Sequence, residues 1–537
     1  MHLIKLLSLS AMTLAIASGC KSDSNSSNPT SRPPTTPASK TVSNISISEV
    51  SKTLPAEFKI ASNAGFNLYV SVIPSGTATT QSRSSNINNG AIHFIAYFDE
   101  SKYPNAVEMK KRRAIFNYKV ERATKILQHL MSNVRNSQYG EDKSSIAELM
   151  AQREATLIMT ENDEQNQMML TKLFVGEAFR QNKIDDWVSK VPSAPSVLDT
   201  ASESSFLSSL IQLASSDEDL FDNVITSILT GVQQSPNSPK WLVNSQSLMF
   251  RELTLEGDCH YMSNFASYCE DLGKHADRDA GFEEILHLFQ AQGIAPNPSF
   301  YAFQQQIQQR ALSLYTDHKN GNYSPWQPTN SSWQDWKNDD IDPEIGPSYS
   351  HEYFAAAFEA YMGMWEHKSE GLDNYQAVTR SQMRSVDIES AFWIENMFHD
   401  YLQYTANIDS NGVKTYYNHR FPQGGLTPTF NMSKSTHPPL EPYTFKSRWL
   451  VNAKIIGDAT IDLNANDQNN HIEGNNKDNV VDGKGGNDVY IIDENFANCI
   501  IIEQKYTVAV QCSNTGTDTL ANFEAIQFKD RIYSLAQ

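Results

Sequence analysis

Between residues 465 and 491 the chain repeats in steps of nine. Ala465-Asn-Asp-Gln-Asn-Asn470-His-Ile472-Glu is followed by Gly474-Asn-Asn-Lys-Asp-Asn479-Val-Val481-Asp and Gly483-Lys-Gly-Gly-Asn-Asp488-Val-Tyr490-Ile. The sixth position is always a short carboxylate or amide, and the eighth is always large and apolar. Each repeat can bury only one side chain, so the repeats must stack on one another to make a core. Six residues rich in Gly and Asn make a tight turn that aims carbonyls and a carboxylate at a hard cation, while a three-residue strand buries its apolar residue. Ile472, Val481 and Tyr490 are the expected interior ladder. A disordered polar tail would not keep this register.

These repeats resemble the hemolysin-type (RTX) nonapeptide, Gly-Gly-x-Gly-x-Asp-x-apolar-x. The resemblance implies a parallel β-roll over residues 446–537, with successive nonapeptides on opposite faces and calcium shared between one repeat and the next but one. It implies that Asn470 faces Asp488, and that Asn470, Asn479, Gly483, Gly485 and Asp488 furnish one or two weak calcium sites. Only the last repeat has Asp at the sixth position, and the first lacks the glycines. Residues 517–528 resemble the strand cap that closes such rolls.

At the other end, residues 1–20 read as a signal peptide: Lys5 is the positive n-region, and 6–16 is an apolar stretch too short to span a bilayer. Ala17-Ser18-Gly19-Cys20 resembles the lipobox of bacterial lipoproteins, with Ala17 where the family usually has Leu. That implies lipidation at Cys20 and membrane contact through a lipid anchor only. An ordinary secretory signal with a chance cysteine is the alternative. Lys21 is not the usual enterobacterial inner-membrane retention residue, which favours the outer membrane or cell surface. Residues 21–45, nearly all Ser, Thr, Asn, Pro and Lys, are expected to form a disordered tether. The net charge of −19, with 43 basic against 62 acidic residues and no basic cluster, argues against a nucleic-acid partner and suits a calcium binder.

The other four cysteines fall in two close pairs, Cys259 with Cys269 and Cys499 with Cys512. In an oxidising compartment the economical outcome is one local disulfide per pair. A Cys/His metal site at Cys259 and His260 is the competing reading.

The fold class expected is α+β. Residues 46–240 read as a mostly helical lobe with a few strands: strand-like runs at 66–73 and 91–98, and helical patterns at 146–159, 168–179 and 206–213. Phe116, Val120, Ala123, Leu127 and Leu130 recur at steps of three and four, the stripe of an amphipathic helix. In the second lobe, 241–445, a strand-like run at 248–255 precedes helices at 280–292, 305–314, 351–365 and 391–404, with a long loop at 315–350. His399 and Asp400 diverge by about 100 degrees on the last helix and do not form a dyad.

The second lobe carries the candidate chemistry. In Phe282-Glu283-Glu284-Ile285-Leu286-His287, a helix puts Glu283 and His287 one turn apart on one face with Glu284 beside them. This is the spacing of the zinc-peptidase motif His-Glu-x-x-His, with Glu in place of the first His. Ser350-His-Glu352-Tyr-Phe-Ala-Ala-Ala-Phe358-Glu-Ala-Tyr361 resembles the Glu-Phe-Phe-Ala-Glu-Ala-Phe helix of gluzincins of the anthrax lethal factor type. The resemblance covers two helices and implies a zincin-like lobe. Glu283, His287 and Glu352 would be the zinc ligands, Glu284 the general base and Tyr349 an oxyanion donor, although Tyr349 is not at the family's spacing. His275 is a substitute ligand. Serralysin-type peptidases also join a zinc domain to an RTX roll, but carry three histidines in one motif, which this chain lacks. Two functions are therefore expected: a surface-tethered zinc peptidase acting on a protein or peptide, or a non-catalytic adhesin or binding protein.

Overall fold

The computed structural model describes residues 45–75, 90–250, 252–253, 279–338, 347–366, 369–409, 412–413, 429–432 and 445–535. Cys20, the tether up to residue 44, Cys259, His260, Cys269 and His275 lie outside them.

A five-stranded sheet runs in chain order and takes its last strand from beyond the lobe boundary expected at 240: β1 (Ile45–Ile47), β2 (Leu68–Pro74), β3 (Ile92–Ala96), β4 (Thr156–Thr160) and β5 (Ser245–Met249). β1 to β3 pair antiparallel, and β3 to β5 pair parallel. Every residue of β3 and β4 is buried, which requires cover on both faces. Alternation along the strands supplies it: Val70, Phe94, Leu157 and Leu248 enter one core, while Tyr69, Ile95 and Ile158 enter another. The second core is closed by helices Asp163–Arg180, Glu203–Ser216 and Glu218–Gln234. The first is closed by the long helix Ala106–Leu130, whose buried residues include the expected stripe. Asn105 caps that helix, its side chain accepting from Val107 and Glu108 backbone amides.

The helical pattern at 146–159 divides. A helix covers Ser144–Gln152, the chain turns at Glu154 with φ of 55°, and Thr156–Thr160 becomes the central strand β4. An apolar run of five cannot declare its period, and pairing between β3 and β5 decides it. The long loop at 315–350 contains the helix Asn330–Asn338, where Trp333 stacks on Tyr315 at 3.6 Å between ring centroids. The helix expected at 391–404 ends earlier, at Met397, and the chain then enters a strand.

That strand belongs to the C-terminal sheets, which therefore reach back before the composition change near residue 446. One sheet contains β6 (Tyr404–Asp409), β7 (Gly412–Val413), β9 (Leu450–Ile455), β11 (His471–Glu473), β13 (Val489–Ile491), β17 (Ala525–Gln527) and β18 (Ile532–Ser534). The other contains β8 (Thr429–Asn431), β10 (Asp462–Asn464), β12 (Val480–Asp482), β14 (Cys499–Glu503), β15 (Val508–Cys512) and β16 (Gly516–Ala521). From β9 to β13 the chain alternates between the two sheets. Strands pair parallel, with Leu463 opposite Val481 and Ile472 opposite Tyr490, eighteen residues apart in each case. Ile472, Val481 and Tyr490 are fully buried, as the period implied. Leu463 adds a rung one repeat earlier than the sequence register began. Among the described residues no helix is long and apolar enough to cross a membrane.

Candidate metal centre

Helix Gly281–Phe289 lies under the sheet, with Phe282, Ile285, Leu286 and Phe289 in the first core. Its start is fitted closely: a Cβ on Gly281 would stand 2.2 Å from Leu253 Cδ1. Beyond Phe289 the backbone widens into a π-helix, Gln290–Ile294. There a Cβ on Gly293 would meet Ile146 Cγ2 at 2.5 Å, so glycine lets this segment press on helix Ser144–Gln152.

Helix Ser348–Tyr361 packs against it, with Phe282 and Phe358 stacked at 6.0 Å. Ala355, Ala356 and Ala357 are all fully buried, and their small size lets the helices approach. Phe354, Phe358, Tyr361 and Trp365 are buried as expected, but so are Ala355, Ala356 and Glu359 on the face of Glu352, so the helix is enclosed on both sides. The packing brings Glu283, His287 and Glu352 together: one candidate ligand atom from each lies within 4.8 Å of the others. His287 Nε2 is 4.0 Å from Glu352 Oε2. Two atoms bound to one tetrahedral zinc are about 3.4 Å apart. Small side-chain rotations therefore suffice to close the set on one ion, and two carboxylates with an imidazole fit a divalent cation.

Glu284 stands beside this group, its Oε2 3.8 Å from His287 Nδ1. That oxygen accepts a 2.7 Å hydrogen bond from Gln246 Nε2 on β5. Gln246 was not foreseen, because only the packing of β5 on the helix brings it near. A buried amide relay, Gln290 to Gln304 to Ser350, joins the two ligand-bearing helices at 2.9 and 3.0 Å. Tyr349 sits one turn before Glu352 with its ring against Trp333, 4.6 Å between centroids. Glu359, on the face of Glu352, accepts a hydrogen bond from Trp365 Nε1. His399 and Asp400 lie past the end of their helix, and the His399 ring is 5.6 Å from that of His129.

In the C-terminal sheets the sixth-position residues form two hydrogen-bonded ladders. On one side Asn470 N donates to Asp488 Oδ1 at 2.7 Å, and Asp488 N to Glu524 Oε2 at 2.5 Å. On the other, Ile461 N donates to Asn479 Oδ1 at 3.1 Å, and Asn479 N to Asp518 Oδ1 at 3.0 Å. Asp488 and Asn479 thus each cap an amide 18 residues, or two repeats, earlier, while Glu524 and Asp518 take that place from 36 and 39 residues further on. Asp518 lies 39 residues after Asn479 because the hairpin of β14 and β15 is looped out between them. The Cys499–Cys512 disulfide joins that hairpin across a directly opposed pair.

Asn470 therefore faces Asp488, whereas Asn479 sits on the other ladder and faces Asp518. Asn470 Oδ1 and Asp488 Oδ2 are buried and have no hydrogen-bond partner among the described residues. A Cβ on Gly483 would lie 2.6 Å from Asp488 Oδ2, and one on Gly485 3.0 Å from Asp467 Oδ1, so the glycines keep space before these oxygens. Burial pushes the Asp488 carboxyl up to about 7, and Glu524, Asp467 and Asp482 push the same way. Such a group of oxygens is suited to a hard cation. Burial likewise pushes Asp518 up to about 6.

No family model matches this chain, and no curated protein matches it. Among solved structures, the extracellular lipase LipA from Serratia marcescens is similar to it at 15% identity and a TM-score of 0.11, over 14% of this chain. The match likewise spans 14% of that lipase.

Proposed function

We propose that this chain is a lipid-anchored, calcium-binding envelope protein whose second lobe is a divergent, zincin-like zinc peptidase. One observation carries the reading: Glu283, His287 and Glu352, from two helices distant in sequence, converge within 4.8 Å. These three residues hold the metal, which when bound supplies a Lewis acid and a water of lowered pKa. Glu284, oriented by Gln246, accepts the proton of the attacking water. Tyr349, one turn before Glu352, is the oxyanion donor. The buried oxygens of Asn470 and Asp488 hold calcium in an RTX-type roll and stiffen the C-terminal sheets.

The test is metal analysis and proteolysis by the purified full chain. One zinc per chain is expected, lost in Glu283→Ala with His287→Ala, together with casein hydrolysis that Glu284→Gln abolishes while zinc stays bound. A folded, metal-free chain overturns the reading. The carboxylate-rich ligand set, with one imidazole, favours a second reading as a non-catalytic surface binding protein. Full biological activity in Glu284→Gln would select it.

A further inference from the structure

Helix Ala106–Leu130 covers the first core with one side and turns the other outward. Its residues 110–113, Lys-Lys-Arg-Arg, are four consecutive cations and correct the expectation that the chain holds no basic cluster. Two of the four are offset where they stand: Arg112 Nε donates to Glu108 Oε1 at 2.7 Å, and Arg113 pairs with Glu100. Further along, Arg122 faces Asp279 from a nearly buried position. Lys110, Lys111 and Lys125 are exposed and form no ion pair among the described residues.

These three lysines share an arc of about 140 degrees with Val107, Ile115 and Tyr118, and the stripe is about 27 Å long. Val107 is 80% exposed and Ile115 39%. Glu121 is the acid on this face, against three lysines, whereas the whole chain carries −19. At physiological ionic strength charges act over about 8 Å, so a surface meeting this face senses the lysines and not the total. Cations set among exposed apolar side chains on one helix face suit a bilayer interface, with ammonium groups at headgroup phosphates and apolar groups below them. A nucleic acid would match the lysines but leave Val107 and Ile115 without an apolar partner. The start of the described chain lies on the same side of the sheet, for Ile45 is buried in the core under this helix. The chain from Cys20 to Ile45 reaches at most about 85 Å. A lipid on Cys20 would therefore hold the body near a bilayer, where a weak second contact becomes intramolecular.

We propose that the outer face of helix Ala106–Leu130 docks on an anionic phospholipid surface through Lys110, Lys111 and Lys125, with Val107 and Ile115 entering the interface. Docking is independent of the metal centre and rests on the lipid-anchor reading for proximity alone.

Vesicle sedimentation at low ionic strength, with EDTA present, tests it on the mature chain from residue 20 carrying Cys20→Ser, so that no lipid contributes. Vesicles of phosphatidylcholine with phosphatidylglycerol should bind the chain, and phosphatidylcholine alone should not. Lys110→Gln, Lys111→Gln and Lys125→Gln should weaken binding about fivefold for each charge and about a hundredfold together. Val107→Ser with Ile115→Ser should weaken it by a smaller factor. Equal binding to both vesicles, no binding at millimolar lipid, or unchanged affinity in either folded variant would overturn the proposal. Lysine-dependent binding of a DNA duplex as tight as that of the anionic vesicles would do the same. Acyl analysis of Cys20 in envelope-derived protein tests the anchor separately, so a chain that docks but carries no lipid sinks that reading alone.

Discussion

Two buried histidines should each cost this protein stability as pH falls. His93 lies on β3, 3% exposed, with Phe58 edge-on at 4.9 Å and Tyr69 Oη 3.0 Å from its Nδ1. His129, 9% exposed, donates from Nε2 to the Tyr401 carbonyl at 2.7 Å beside the His399 ring. Burial pushes His93 down to about 4. Burial first, then the neighbouring His399, pushes His129 down to about 3. Both folded values lie below the ordinary value of about 6.5. Their contribution is therefore present above that value and is lost as pH falls toward the folded values.

Between about pH 7 and about pH 5 the unfolded chain takes up about 0.7 proton per histidine while the folded chain takes up almost none. Linkage sets the cost at about 2 kcal/mol each, or about 4 kcal/mol together. Urea unfolding at the two pH values measures it. His93→Gln keeps an acceptor for Tyr69, His129→Gln keeps a donor for Tyr401, and the double variant should lose about 4 kcal/mol less than the parent chain between the two pH values. Asp488 and Asp518, raised to about 7 and about 6, take up protons in the folded chain over the same window and offset about 4 kcal/mol. The histidine term is therefore read as the difference between parent and double variant, and a difference under about 1 kcal/mol would refute the reasoning.

Gln246→Leu should lower peptidase turnover about tenfold or more without releasing zinc, because Glu284 loses its orienting amide while the three ligands remain; kinetics beside metal analysis checks this. Removing the disulfide with Cys499→Ser and Cys512→Ser should cost about 3 kcal/mol, read by thermal unfolding under oxidising conditions. Asp488→Ala should abolish the rise in melting temperature that calcium brings to the parent chain, a rise that scanning calorimetry with and without EDTA will detect. Gly293→Ala should destabilise the chain by about 1–3 kcal/mol in urea, since its new methyl must displace Ile146.

Much of the metal centre was legible in local spacing. One helical turn separates Glu283 from His287, so a helix alone puts them on one face. The alanines after Glu352 likewise announced a close helix contact. Gln246 was illegible because its position depends on the register of β5 beside β4, set by pairing rather than by neighbours in sequence. Asp518 was hidden for a related reason: it completes a ladder only once the β14 and β15 hairpin is removed from the count. The same pairing turned Thr156–Thr160 from an expected helical turn into a central strand.

The nine-residue period needed no tertiary information to specify a stack, since each repeat meets the same neighbour environment and buries the same eighth-position side chain. Residue order alone likewise placed one acid and one imidazole on a shared helical face. Bringing Glu352 to them and setting Gln246 on Glu284 took the folded chain. These arrangements join segments far apart in sequence, and long-range packing, not local preference, sets distances of that kind.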